Sequence, residues 1–249
     1  MDAALHTVTV PGRFNGPPAS GNGGYVSGLL AQRLGAPSVQ VTLRAPPPLD
    51  IPLGLHPLPD GGLALRHGPT LLAEAVPARF ELPVPPSPGP GAAAAAGALG
   101  RLRARERTGN PYRRCFGCGI ERPDGLLLLP SPVDDSGLVA TDWQPSAGLA
   151  GADGLLPAPV VWAALDCPAG LAWNHRLPQS VPLVTGRIAA RLEASPRAGG
   201  HYVVLGWPIA QDGRKLHAGS AIFDADGRLM ACSLQLWLMP RVGDAGPRA

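Results

Sequence analysis

Residues 157–173, PAPVVWAALDCPAGLAW, form an almost wholly apolar run, yet Asp166 stands in its middle and Pro168 follows two residues later. The run reads as a helix packed among apolar neighbours. A carboxylate in such a place costs several kcal/mol unless it is paired or hydrogen-bonded. Two explanations are open at this level. Asp166 caps a new helical segment ahead of Pro168, or the acid is kept for chemistry.

Working outward, the chain has 249 residues, 45% of them hydrophobic, enough for one large domain or two of ordinary size. Its 33 glycines and 31 prolines supply turns, edges and linkers. The formal charge of +3 is too small to argue for a nucleic-acid partner. Prolines and charges interrupt every apolar run before it reaches the ~18 residues of a membrane span. The start, MDAALHTVTV, lacks the basic and apolar regions of a signal peptide. We therefore expect a soluble cytoplasmic protein with no membrane or nucleic-acid partner. In that compartment Cys115, Cys118, Cys167 and Cys232 default to free thiols.

A low-complexity stretch, PVPPSPGPGAAAAAGALGRLRARERTGNP at 83–111, divides the sequence. Its Pro-rich start should be extended, and its Ala/Leu/Arg part a short solvated helix. Before it, FNGPPASGNGGYVSGLLAQRLG carries a helical face of Tyr25, Leu29, Leu30 and Leu34, with Asn22, Gly23 and Gly24 at the helix start. The strand-like runs SVQVTLRAP, IPLGLHPL, LALRHG and TLLAEAVPARFEL follow. After the divide, DGLLLLPSPV and GLVATDWQP precede the apolar helix, and four longer strand-like runs complete the chain, with QDGR and ADGR marking hairpins. The plan of a helix followed by an antiparallel sheet thus occurs twice, an α+β arrangement. The expected units span residues 1–84 and 112–241, with a linker at 85–111 and a disordered tail at 242–249.

This pattern resembles the double hotdog fold of the acyl-CoA thioesterase superfamily, and in layout the type II acyl-CoA thioesterases. The residues carrying the resemblance are GNGGYVSGLLAQRLG with VQVTLRAPPPLD in the first half, and CFGCG with PDGLLLL in the second. It implies two hotdog units in one chain, each a central helix wrapped by a curved antiparallel sheet, paired as a pseudo-dimer that could assemble into a homo-oligomer. It further implies hydrolysis of an acyl-CoA or related acyl thioester by water, with no cofactor and no metal. WAALD places Asp166 at the family's helical acid, LVTGRIAARLEA places Thr185 at its strand hydroxyl, and ACSLQLWLMP places Gln235 at its amide. Asn22, Gly23 and Gly24 resemble the substrate-binding helix start of related single-hotdog enzymes. Two departures stand out. Ala31 occupies the acid's place in the first half, and the second half reads PAP where glycines would stand, so one composite site is expected. The chemistry suits these groups: a carboxylate takes the water's proton while N–H donors at a helix start polarise the carbonyl.

Plainer readings accompany each residue. Threonine is common in strands, and Gln235 lies opposite Leu234 and Leu236, on a face turned either to solvent or to the helix. Cys115 and Cys118 form a lone CxxC, expected as packed thiols because structural zinc takes four ligands. Cys167 is expected to be a buried structural cysteine and His175 a loop residue. The alternative function is a non-hydrolytic acyl-CoA or acyl-lipid binding protein on the same fold. Hydratase chemistry is a more distant third, because no helical acid–His pair is recognisable.

Overall fold

The computed structural model describes residues 6–240. The first half comprises β1 (His6–Thr9), α1 (Gly23–Leu34), β2 (Ser38–Leu43), β3 (Pro52–Pro57), β4 (Leu63–His67) and β5 (Thr70–Pro77). A second helix, α2 (Pro90–Glu106), follows. The second half contains β6 (Ser131–Pro132), β7 (Val139–Trp143), α3 (Ala158–Arg176), β8 (Val184–Leu192), β9 (Tyr202–Asp212), β10 (Lys215–Asp224) and β11 (Leu229–Leu238). The expected tail at 242–249 lies outside the described residues. Among the described residues, no helix is long and apolar enough to cross a membrane.

The strands of the described residues form one eleven-stranded sheet in the order β1-β3-β4-β5-β2-β8-β11-β10-β9-β7-β6. The halves meet where β2 pairs antiparallel with β8, from Ser38 opposite Arg191 to Thr42 opposite Arg187. Helices α1 and α3 lie against the sheet and against each other. Gly24 faces Ala163 and Asp166, and four residues later Gly28 faces Pro159 and Trp162, so the helices run antiparallel. The contact is made on glycine. A Cβ on Gly28 would stand 2.5 Å from Pro159 Cα, and one on Gly24 would stand 2.6 Å from Asp166 Cβ. Backbones that meet this closely leave no space for a methyl group.

Helix α1 starts as its sequence indicates. Asn22 is extended at the N-cap and its side chain accepts from the Tyr25 amide, while Gly35 ends the helix in the left-handed conformation. Helix α3 is apolar around its circumference and is buried from Pro159 through Gly170, which makes it the centre of the core. It runs to Arg176, so His175 lies in its last turn, with Nε2 3.2 Å from the Pro130 carbonyl, rather than in a loop. The capping explanation of Asp166 fails on the same fact, because the helix continues unbroken through it.

Two further expectations are corrected. DGLLLLPSPV contributes only the short β6, and Leu126, Leu128 and Leu129 are buried outside the sheet. The helix of the divide is long and half-packed rather than solvated: Ala93, Ala96, Gly97 and Gly100 form its buried face. That face covers the side of the second-half sheet turned away from α3. Ala93, Val203, Leu205 and Phe223 form one cluster there, joined by Phe80 and Leu82 from the chain that leads into α2. Coverage on both faces explains why β9 is buried without interruption from Tyr202 to Trp207, whereas β2 and β3 alternate.

Gly28→Ala forces a methyl group into the backbone contact between α1 and α3. It is expected to destabilise the protein by about 1–3 kcal/mol, seen as a lower urea midpoint with an unchanged m-value.

Candidate functional site

Asp166 sits in the middle of α3 and is 2% exposed. It is provided for from two other elements. Thr185, the second residue of β8, donates its hydroxyl to Oδ1 at 2.7 Å, and the Gly24 amide in the first turn of α1 donates to Oδ2 at 3.0 Å. The partnership across the halves depends on small residues. A Cβ on Gly23 would stand 3.0 Å from Thr185 Oγ1, and the absence of Cβ atoms at Gly24 and Gly28 lets the start of α1 settle onto α3. Each carboxylate oxygen keeps a further lone pair for another donor.

Asp166, Thr185, Asn22 and Gly23 all line one cavity of about 280 Å³. Its walls are mostly apolar, and Leu43, Leu171 and Trp237 contribute to them. Burial in this setting raises the Asp166 carboxyl from 3.8 to about 7, against the opposing hydrogen bonds from Thr185 and the Gly24 amide. Gly23 carries the first amide of α1, which has no protein partner among the described residues, at the positive end of the helix dipole.

Gln235 is the residue the structure does not bring to this cavity. It is 1% exposed, and its amide is fully engaged. Nε2 donates to the Leu165 carbonyl at 2.7 Å and contacts the Ser233 and Ser220 hydroxyls at 2.7 and 3.2 Å, while Oε1 accepts from Trp237 Nε1 at 2.8 Å. The Ser220 hydroxyl also reaches the Leu165 carbonyl. The expected convergence of Gln235 with Asp166 and Thr185 on one water is therefore corrected. Its side chain faces the helix, but it grips the backbone immediately before the acid. Pro168 has no amide to bond back along α3, and this network ties β10 and β11 to the helix backbone on the turn where that bond is missing.

Several residues at the site gave no signal in the sequence as residues that belong together. Tyr112 lines the cavity and donates its hydroxyl to the Leu183 carbonyl at 3.0 Å, and burial pushes its phenol up. Cys115, Cys118 and Cys167 all line the same wall, with their sulfurs within 4.8 Å of one another. Their titrations are linked. Hydrogen bonds from Cys118 and Cys167 hold the Cys115 thiol well below its ordinary range, and the same contacts to Cys115 push the other two up. Asn22 Nδ2 points at this group, 3.8 Å from Cys115 Sγ and 4.0 Å from Cys167 Sγ. CFGCG signals only a turn with two thiols, because the third comes from α3, 49 residues beyond Cys118.

No protein-family model matches the sequence, and no curated protein matches it significantly. Solved structures do match. A Novosphingobium aromaticivorans protein provisionally assigned as a thioesterase superposes with a TM-score of 0.64 at 17% identity, over 97% of both chains. A conserved Alicyclobacillus acidocaldarius protein of unknown function with a hotdog fold gives 0.62 at 12% identity, over 97% of this chain and 95% of that one. A TesB protein of Mycobacterium avium subspecies paratuberculosis gives 0.56 at 17% identity, over 88% and 87%. At these identities the likeness is one of fold: the chain has an α+β hotdog fold and resembles thioesterase-type hotdog proteins along nearly its whole length.

The raised carboxyl makes stability depend on pH. The unfolded chain releases the Asp166 proton near 3.8, whereas the native state holds it to about 7. Between these values the native state binds the extra proton, so this residue's contribution to stability falls as pH rises and is constant above. The Asp166→Asn protein lacks the slope. From about pH 4 to about pH 8, the unfolding free energy of wild type minus that of the variant should fall by on the order of 4 kcal/mol, measured by urea denaturation across the range.

Proposed function

We propose that this protein hydrolyses an acyl thioester, with an acyl-CoA or a related thioester as substrate, by direct attack of water. The observation that carries the reading is a buried acid, poised to titrate near neutral pH, on the wall of a mostly apolar cavity beside a partner-free helix amide. In this reading the halves are two hotdog units paired within one chain, with boundaries near residues 84 and 112, and the site is composite. The second unit provides Asp166 and Thr185, and the first provides Gly24 to hold the acid and Gly23 to meet the substrate.

An acyl chain lies along the apolar wall with its thioester carbonyl toward the start of α1. Asp166, ionised, accepts a proton from a water that attacks the carbonyl carbon. The Thr185 hydroxyl orients the carboxylate and so the water. Negative charge developing on the carbonyl oxygen is met by the Gly23 amide and the helix dipole. The tetrahedral intermediate then collapses, the C–S bond breaks, and the thiol leaves with the proton returned from Asp166. Gln235 acts as a positioning residue: through the Leu165 carbonyl and Trp237 it holds the α3 backbone that presents the acid.

Purified protein should release free thiol from acyl-CoAs in a chain-length panel. Asp166→Asn should lower kcat/KM by about 10²–10⁴-fold with little change in binding of a non-hydrolysable CoA thioether. Because the base must be ionised, kcat/KM should rise with pH through a single ionisation near the carboxyl's raised value of about 7. Thioether binding without any turnover by the wild type would instead select a non-hydrolytic acyl-CoA binding protein.

In Gln235→Leu the Trp237 indole N–H loses its acceptor in a buried place. A loss of about 1–3 kcal/mol of stability is expected, read from the urea midpoint, with kcat lowered and the pH profile unmoved.

A further inference from the structure

We propose that Cys115, Cys118 and Cys167 form a binding site for a single thiophilic divalent cation, zinc above all, on the wall of the cavity beside Asp166. The proposal does not depend on the hydrolytic reading, and nothing in that mechanism uses the three thiols.

The distances suit one ion. Cys115 Sγ and Cys167 Sγ are 3.8 Å apart, and all three sulfurs lie within 4.8 Å of one another. Three atoms so placed share a central point within about 2.8 Å of each, and zinc–sulfur bonds of about 2.3 Å in a tetrahedron set sulfur–sulfur spacings of about 3.8 Å. One pair already has that spacing, and the remaining adjustment is a side-chain movement of less than about 1 Å.

The surroundings are built for sulfur anions. Asn22 Nδ2, buried with them, approaches two of the three thiols, 3.8 Å from Cys115 Sγ and 4.0 Å from Cys167 Sγ. N–H donors aimed at the sulfurs suit thiolates, the form in which cysteine binds metal. The turn carrying Cys115 and Cys118 is itself held firmly. Gly119 donates to the Cys115 carbonyl at 2.8 Å, and a Cβ there would stand 2.5 Å from that oxygen. Phe116 donates to the Asn15 carbonyl at 2.7 Å, and Arg122 binds the Asn15 side chain at 2.8 Å. Gly117 lets the turn close on α3, since a Cβ there would stand 2.6 Å from Cys167 Sγ. The pair and the third thiol are therefore brought together by the tertiary fold, not by a chance approach of loose side chains.

Three protein ligands leave one position of a tetrahedron. All three cysteines line the cavity, so that position opens toward it, as in metal sites that keep a place for water or an exogenous ligand. Cys232, buried in the cluster with Val203 and Phe223 on the far side of the sheet, is no part of this group.

The test uses full-length protein, produced in zinc-supplemented medium, purified under reducing conditions and analysed by plasma mass spectrometry. The expected result is about one zinc per chain. Cobalt(II) added to the reduced apoprotein should give thiolate-to-metal charge-transfer absorption and the intense ligand-field bands of a tetrahedral site. Cys118→Ser, at the half-exposed member, and Cys167→Ser should each weaken metal binding by on the order of 100-fold or more, whereas Cys232→Ser should bind as the parent does. Circular dichroism establishes that each variant is folded before it is compared. The proposal is overturned if reduced wild type retains no zinc and gives no cobalt charge transfer. It is equally overturned if zinc content is unchanged in both folded Cys118→Ser and Cys167→Ser, or if Cys115–Cys118 disulfide formation is the only chemistry the group shows.

Discussion

The close crossing of α1 and α3 is the constraint on which the rest of the structure depends. Gly24 and Gly28 remove the side chains that would separate the two helices, and the backbone of one comes to rest on the other. The first turn of α1 then lies over Asp166, and an amide that would otherwise need water donates to a buried carboxylate instead. Two unfavourable features, an unsatisfied helix start and a desolvated acid, are each relieved by the other. The Thr185 hydroxyl, which a Cβ on Gly23 would crowd at 3.0 Å, completes the arrangement from the sheet.

The position of α3 has to be held to much less than a side-chain length for this to work, and the sheet holds it. Pro168 deprives the helix of one internal hydrogen bond immediately after the acid. Ser220, Ser233 and Gln235 on β10 and β11, with Trp237 behind them, grip the Leu165 carbonyl on that same turn. On β9, Gly206 brings strand backbone against the carbonyl of Pro168, where a Cβ would collide. Polar groups in the middle of the core are tolerated because every one of these is paired. On the opposite face of the sheet, α2 and the chain leading into it exclude water from the strands that carry this network.

Electrostatically the cavity is short of compensating charge. Its walls are mostly apolar, Arg44 on them is paired with Glu74, and the groups that bond Asp166 are the neutral Thr185 hydroxyl and Gly24 amide. That is why desolvation outweighs the two hydrogen bonds and the carboxyl rises to about 7 instead of falling. The same shortage acts on the cysteines. The three thiols divide unequally: contacts from Cys118 and Cys167 hold the Cys115 thiol low, and the same contacts to Cys115, with burial, push the other two up.

The sequence by itself determined much of the fold, for a local reason. Asn22 before a glycine pair marks the start of α1, the hairpin turns QDGR and ADGR separate β9, β10 and β11, and period-two runs define β2 and β3. It also singled out Asp166, since a carboxylate in an apolar helix is conspicuous whatever surrounds it, and Thr185 with it through family likeness. The packed helix α2 was not legible as such, because its buried face is alanine and glycine, which carry no apolar signature until a neighbouring backbone is present. The direction of Gln235 depended on the pairing of β11 with β8 and β10, and its occupation on Leu165, 70 residues earlier. The thiol group needed Cys167 to meet a distant CxxC turn. Residue types and periodicity are properties of neighbours along the chain. Which amide meets which carboxylate, and which sulfurs share one wall, are properties of contacts between segments, and only the tertiary structure decides them.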